Sequence, residues 1–171
     1  MGNIERRKEI VKTVKNFKSP ISGNKLADKF QVSRQIIVQD IAILRAEGEN
    51  IISTSQGYMY PNYQNKNLIK TIAVKHNLDR IDEELKIIIE LGGKVIDIIV
   101  EHPIYGEITG NLMLGSMYDI KEFLKDFREK EALPLSKITS GIHLHTIEVP
   151  NEFIYDKILN RLKSKKLILE E

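Results

Sequence analysis

Near its C-terminal end the sequence reads Gly141-Ile142-His143-Leu144-His145-Thr146. On a strand, alternate side chains leave the same face, so both imidazoles would point one way. The strand rise sets them about 7 Å apart at Cα. At that spacing the pair either forms a polar rim or reaches one metal ion. His76 ends an earlier apolar alternation, and Glu84 follows it by eight residues. On a helical wheel Glu84 falls about 60° from the centre of the apolar stripe. A carboxylate there turns to solvent or finds a cation, and Asp82 and Glu83 point further away. Together, His76, Glu84, His143 and His145 form a candidate ligand set for one divalent ion per chain. Three imidazole nitrogens and one carboxylate suit nickel, zinc or ferrous iron rather than magnesium or calcium. Such a site keeps a position open for a small anionic or heteroaromatic molecule. His102 reads as a partner behind a ligand, a cavity wall or a hydrogen-bonded core residue. It and Tyr105 are the remaining candidates for the ligand pocket or for support of the metal ligands.

An open metal position could also activate water, provided a general base stands nearby. Glu101 and Glu107 flank His102-Pro103-Ile104-Tyr105-Gly106 and are the available bases. Neither lies in a HExxH spacing, and the sequence has no nucleophile elbow, P-loop or dinucleotide fingerprint. A binding protein, not an enzyme, is the expectation.

The elements that must position these residues follow from periodicity. Leu68, Ile72 and Val74 share a face of a strand ending at His76. Asp79–Leu91 is a helix with Ile81, Leu85 and Ile88 inward, stopped by Gly92-Gly93. Val95–Val100 is the most apolar run and predicts a buried strand, ended by His102-Pro103. Glu107–Leu114 is a weaker strand with a bulge expected at Gly110. Met117–Lys130 is a helix, Ile142–Val149 a strand, and Asn151–Ser164 a closing helix. The order βαββαβα predicts an open-faced sandwich, one layer of helices on a mainly antiparallel sheet.

The N-terminal part has a different pattern. Ile10, Val14, Phe17 and Ile21 form the stripe of a helix ending near Lys18 before Ser19-Pro20. Ser22 caps a short second helix with Leu26, Ala27 and Phe30 inward, and Gln31-Val32 makes a tight turn. Ser33 caps a third helix, Arg34 to Glu47, which Gly48 stops. Two helices joined so briefly must cross steeply, as in a helix-turn-helix. Ile37, Ile41 and Leu44 lie on one arc of the third helix; Gln35, Gln39, Ala42 and Ala46 lie opposite, flanked by Arg34 and Val38. That outer face is small and carries donors and acceptors suited to base edges in a major groove. Ile51–Thr54 and Tyr58–Tyr60 around Ser55-Gln56-Gly57 predict a hairpin, the wing. Its tip lacks Arg and Lys, so Arg6, Arg7, Lys8, Lys12, Lys25, Arg34 and Arg45 are the candidates for phosphate contacts. Ser33, Arg34, Gln35, Val38, Gln39 and Arg45 form the candidate DNA-binding set.

Composition agrees with two small domains. The 171 residues carry 26 Lys plus Arg against 24 Asp plus Glu, a net +2, with 42% hydrophobic residues and no cysteine. Disulfides, thiolate metal sites and cysteine nucleophiles are thereby excluded. No apolar stretch has the length of a signal peptide or a membrane span, so a cytoplasmic protein without a membrane partner is expected. Residues 1–62 hold 10 basic against 6 acidic side chains, and residues 63–171 hold 16 against 18. The sign changes at Pro61–Asn67, a polar stretch without apolar periodicity that reads as a linker. The division is therefore 1–62, a winged helix-turn-helix, and 63–171, an α+β regulatory domain.

Val32-Ser33-Arg34-Gln35 with Asp40-Ile41 resembles the winged-helix reader of biotin-repressor-type proteins. Val100-Glu101-His102-Pro103-Ile104-Tyr105-Gly106 and Gly141–Ile147, together with His76, resemble the 3H domain. The combination is similar to niacin-responsive transcriptional repressors of Gram-positive and related bacteria. The resemblance implies nicotinic acid as corepressor, operator double-stranded DNA as partner, and control of niacin uptake and NAD biosynthesis genes. It also implies a bound transition metal, with the family's ligands falling on His76, Glu84, His143 and His145. The sequence departs at Gln39, where relatives often carry a basic residue, which bears on the operator sequence. A homodimer presenting two third helices to paired half-sites is expected. The alternative is a metal-sensing repressor in which the ion itself is the effector.

Overall fold

The structure, a computed structural model, describes residues 1–61 and 66–169. The chain divides into two compact units on either side of residues 62–65. The expected boundary between residues 62 and 63 lies outside the described residues.

In the N-terminal unit α1 (Asn3–Asn16) buries Ile10 and Val14. It stops earlier than its periodicity predicts, because Phe17 is already extended (φ −82°, ψ 128°) on the approach to Pro20. Phe17 therefore leaves the stripe and is 49% exposed. Ser22 caps α2 (Gly23–Phe30) by accepting from the Lys25 amide at 3.2 Å. Gln31 turns the chain in the left-handed region, φ 53°. Ser33 then caps α3 (Arg34–Ala46) through the Ile36 amide at 3.3 Å. Ile37, Ile41 and Leu44 of α3 close onto Ile10, Val14, Leu26 and Ile51 in one core. β1 (Ile52–Thr54) and β2 (Gly57–Met59) form the antiparallel hairpin, and Tyr58 also bridges to Ile21. Gly57 is required there: at φ +139°, a Cβ would stand 2.2 Å from the Ile21 carbonyl oxygen.

The C-terminal unit runs β3 (Leu68–Lys75), α4 (Ile81–Glu90), β4 (Lys94–His102), β5 (Gly106–Leu114), α5 (Met117–Glu129), β6 (Ile142–Val149) and α6 (Glu152–Ser164). The sheet order is β3-β6-β4-β5 with every pair antiparallel. Residues of α4, α5 and α6 share one core with Ile72, Val74, Val95, Ile147 and Val149 of the sheet. This is the expected α+β sandwich.

Three details differ from the sequence reading. β4 is longer than Val95–Val100 and less buried; Ile96, Ile98 and Ile99 are half-buried. The bulge lies beyond Gly110, which pairs regularly with Ile98. Val95 faces Leu114 and Asp97 faces Asn111, so β5 carries the extra residue, and Met113 takes it up at φ 56°. Finally, the chain after α6 returns along β3. The Lys75 amide donates to Leu167 O and the Leu169 amide to Ala73 O, both at 2.9 Å, and Leu167 is fully buried.

Candidate metal centre and DNA-reading face

β6 turns His143, His145, Ile147 and Val149 toward the helices, and all four are buried. β3 pairs with β6 so that Val74 faces His143 and Lys75 faces Ile142. His76 thus comes opposite Gly141, whose carbonyl accepts from the His76 amide at 3.3 Å. Glu84, in the first turn of α4, is 1% exposed and stands among the three rings. Its Oε2 lies 2.6 Å from His76 Nε2 and 3.5 Å from His143 Nε2, and its Oε1 lies 3.4 Å from His145 Nε2. One ligand atom each from His76, Glu84 and His143 fit within 4.8 Å of one another. Oε1 of Glu84 is buried without a hydrogen-bond partner among the described residues.

The rings are oriented from behind. Nδ1 of His76 lies 2.8 Å from Asn77 O, Nδ1 of His143 lies 2.9 Å from Gly141 O, and Nδ1 of His145 lies 2.6 Å from Asp97 O. A carbonyl only accepts, so each Nδ1 carries the proton and donates it. In a neutral ring Nε2 is then a bare lone pair, and all three face one carboxylate. Acceptors so placed need protons or a metal ion between them. Burial disfavours the imidazoliums of His76 and His145, yet the Glu84 carboxylate outweighs it and raises both above the ordinary value. Burial also pushes the Glu84 carboxyl up, but the imidazoles beside it hold it well below the usual carboxylate range. Three buried imidazoliums around one carboxylate would leave a net +2 out of water, which is costly. One divalent ion would meet the His76 and His143 lone pairs together with a Glu84 oxygen, whereas His145 stands outside the group whose ligand atoms lie within 4.8 Å of one another. The donor set therefore fits the transition metal that the sequence resemblance implies.

Beside the cluster lies a cavity of about 170 Å³, reached by Glu84, His143 and His145. Phe123, Phe127, Leu112 and Leu135 are among the residues of its apolar wall, and Asn111 and Ser136 are its other polar side chains. Among the described residues, no Lys or Arg lines it.

His102 and Tyr105 do not line this cavity. His102 Nδ1 accepts from the Ile104 and Tyr105 amides at 3.1 and 3.2 Å, so it ties the β4–β5 turn. Tyr105 stacks on it at 4.8 Å between centroids and is 77% exposed. The turn projects them from the sheet end, which one-dimensional proximity to Val100 could not reveal. Asp97 was missed by the sequence reading: its carbonyl holds His145, and its Oδ1 accepts from the Thr146 amide at 3.0 Å. An acid within the most apolar run was the signal.

On the other unit, Ser33, Arg34, Gln35 and Gln39 are exposed and Val38 is half-buried along α3. Two arginines differ from expectation. Arg6 is buried, with Nε 2.7 Å from Asp40 Oδ2, and joins α1 to α3 instead of standing free for phosphate. Arg45 donates to Ile51 O at 2.7 Å and to Ser53 Oγ at 2.9 Å, tying α3 to the wing. Lys8, Lys12 and Lys25 are exposed.

A helix-turn-helix domain followed by an α+β domain, in a chain similar to named transcription repressors, defines a transcriptional regulator rather than an enzyme. The chain matches the 3H domain over residues 69–171 and a helix-turn-helix (HTH) domain over residues 6–59, and it belongs to the 3H-domain family. It is 41% identical over 167 residues to the probable transcription repressor NiaR of Thermotoga maritima, covering 98% of this chain and 95% of that one. It is 37% identical over 169 residues to the transcription repressor NadR of Bacillus subtilis, covering 97% and 94%. An uncharacterized protein of Methanothermus fervidus is 26% identical over 125 residues, 69% of this chain and 19% of its own length. Among the described residues, no helix is long and apolar enough to cross a membrane.

Proposed function

We propose that the chain is an operator-binding transcription repressor that uses nicotinic acid as corepressor and controls niacin uptake and NAD biosynthesis genes. One nickel, zinc or iron ion per chain would be held by His76, Glu84, His143 and His145. When bound, it would supply positive charge and an open coordination position at the cavity. The observation that carries the reading is the convergence of three imidazole Nε2 atoms on the buried Glu84 carboxylate, at the edge of an apolar cavity.

Cavity size bears on the effector. Pockets for drug-sized ligands run from about 300 Å³ upward. At about 170 Å³ this one suits a single aromatic ring with a small substituent, not a dinucleotide. The organic cavity also favours a small-molecule effector over the ion acting alone.

In the repressor, Gln35 and Gln39 of α3 read base edges, while Ser33 and Arg34 hold the backbone. A homodimer brings two such helices to paired half-sites. The corepressor shifts the balance of arrangements only by its differential affinity for them, about tenfold per 1.4 kcal/mol. The test is an anisotropy titration of operator DNA with the full chain, metal-loaded or chelated, with and without nicotinic acid. Tightening is expected only with metal and nicotinic acid together. Unchanged affinity on adding nicotinic acid overturns corepression, and tightening by metal alone supports the metal-sensing reading.

A further inference from the structure

Ser136 is 5% exposed and lines the cavity that Glu84, His143 and His145 also reach. Its backbone carbonyl is fully used, accepting from the Gly141 amide at 2.8 Å and the Thr139 hydroxyl at 3.2 Å. Its own hydroxyl has no hydrogen bond among the described residues. The other polar neighbour, Asn111, does have partners within the protein. Open to the cavity, the Ser136 hydroxyl is available to donate to an occupant.

The charge of the wall assigns the ends of that occupant. Among the described residues no Lys or Arg lines this cavity, so within it the positive charge for a ligand carboxylate comes from the histidine–Glu84 cluster and its metal. Lys137 lines instead the adjoining cavity that Ser136 also touches. A neutral hydroxyl suits a neutral acceptor, and a pyridine nitrogen is one. We propose that Ser136 is the specificity-determining residue of the cavity, its hydroxyl donating to the ring nitrogen while the carboxylate lies toward the metal cluster. This rests on the nicotinic acid reading above and adds the group that separates a pyridine acid from a benzene acid.

Ser136 also connects to the ligand residues. Its carbonyl anchors the Gly141 amide, and the Gly141 carbonyl accepts from both His143 Nδ1 and the His76 amide. A ligand held by Ser136 therefore bears on the turn that orients two of the three rings.

The test is isothermal titration of metal-loaded full-length protein with nicotinic acid and with benzoic acid, for the wild type and Ser136→Ala. Wild type is expected to bind nicotinic acid about tenfold more tightly than benzoic acid. In Ser136→Ala that preference should fall to within about twofold, through loss of nicotinic acid affinity alone. Metal content and melting temperature equal to wild type show that the variant is folded. A preference that survives in Ser136→Ala overturns the role of Ser136 while leaving corepression intact. Equal weakening of both acids also overturns it, because the loss is then packing. If wild type binds neither acid, the nicotinic acid reading falls, and this one with it.

Discussion

At the scale of the residue, the histidine–Glu84 cluster makes the stability of the regulatory domain depend on pH, with a sign that metal should reverse. Without metal, His76 and His145 have raised values, so their contribution is complete below the ordinary 6.5 and is lost as pH rises through the raised values. Glu84 has a depressed value, so its contribution is complete above the ordinary 4.5 and is lost as pH falls toward the lowered one. The metal-free domain is therefore most stable between about pH 4.5 and 6.5. Metal needs proton-free Nε2 atoms, so its stabilising effect grows as pH rises. Melting curves from pH 5 to about 8.5, with metal or chelator, should show a gap in melting temperature that widens upward. A gap of constant size would speak against histidine ligation. His143→Ala with His145→Ala should abolish the gap, as checked by metal content.

At the scale of the element, two residues hold long-range geometry that local propensity cannot supply. Gly141 precedes β6 at φ +90°, and a Cβ there would stand 2.4 Å from the His76 carbonyl oxygen. Gly92 shares the positive φ, +96°, but faces open space. Gly141→Ala should therefore cost about 2–3 kcal/mol or more and weaken metal binding. Gly92→Ala should cost about 1 kcal/mol and leave the metal untouched, as chemical denaturation and metal content would show. In the N-terminal unit Asp40, with its side chain 4% exposed, accepts from Arg6. Asp40→Ala leaves a buried guanidinium unpaired and should cost about 3 kcal/mol. Arg6→Met with Asp40→Leu should recover much of that loss, and denaturant midpoints of the single and double variants measure it.

At the scale of the whole molecule, a regulator must separate sequence reading from general attraction to DNA. Gln35→Ala or Gln39→Ala should weaken operator binding by about 1–3 kcal/mol while leaving non-specific DNA affinity unchanged. Arg34→Ala, Lys8→Ala or Lys25→Ala should weaken both kinds of DNA and lower the salt slope by about one each. Anisotropy titrations on operator and scrambled duplexes across a range of salt concentrations distinguish the two effects. Arg45→Ala should behave differently again. It frees the wing from α3, so its loss should appear in thermal stability as well as in DNA affinity.

Much of this molecule was legible in one dimension. Apolar spacing and the caps Ser22 and Ser33 determined the three N-terminal helices to within a residue or two, because such signals act within one turn of chain. Strand alternation determined that His143 and His145 share a face, since that follows from the pleat alone. Tertiary structure decided which faces meet. It set His76 against Gly141, turned Glu84 inward, and drew Asp97 behind His145. It also buried Arg6, which composition alone presents as a phosphate contact, and projected His102 and Tyr105 into a turn away from the cavity. The physical reason is range. Periodicity and capping depend on neighbours a few residues apart, whereas strand order and side-chain convergence depend on contacts between distant segments whose pairing only the closed core selects.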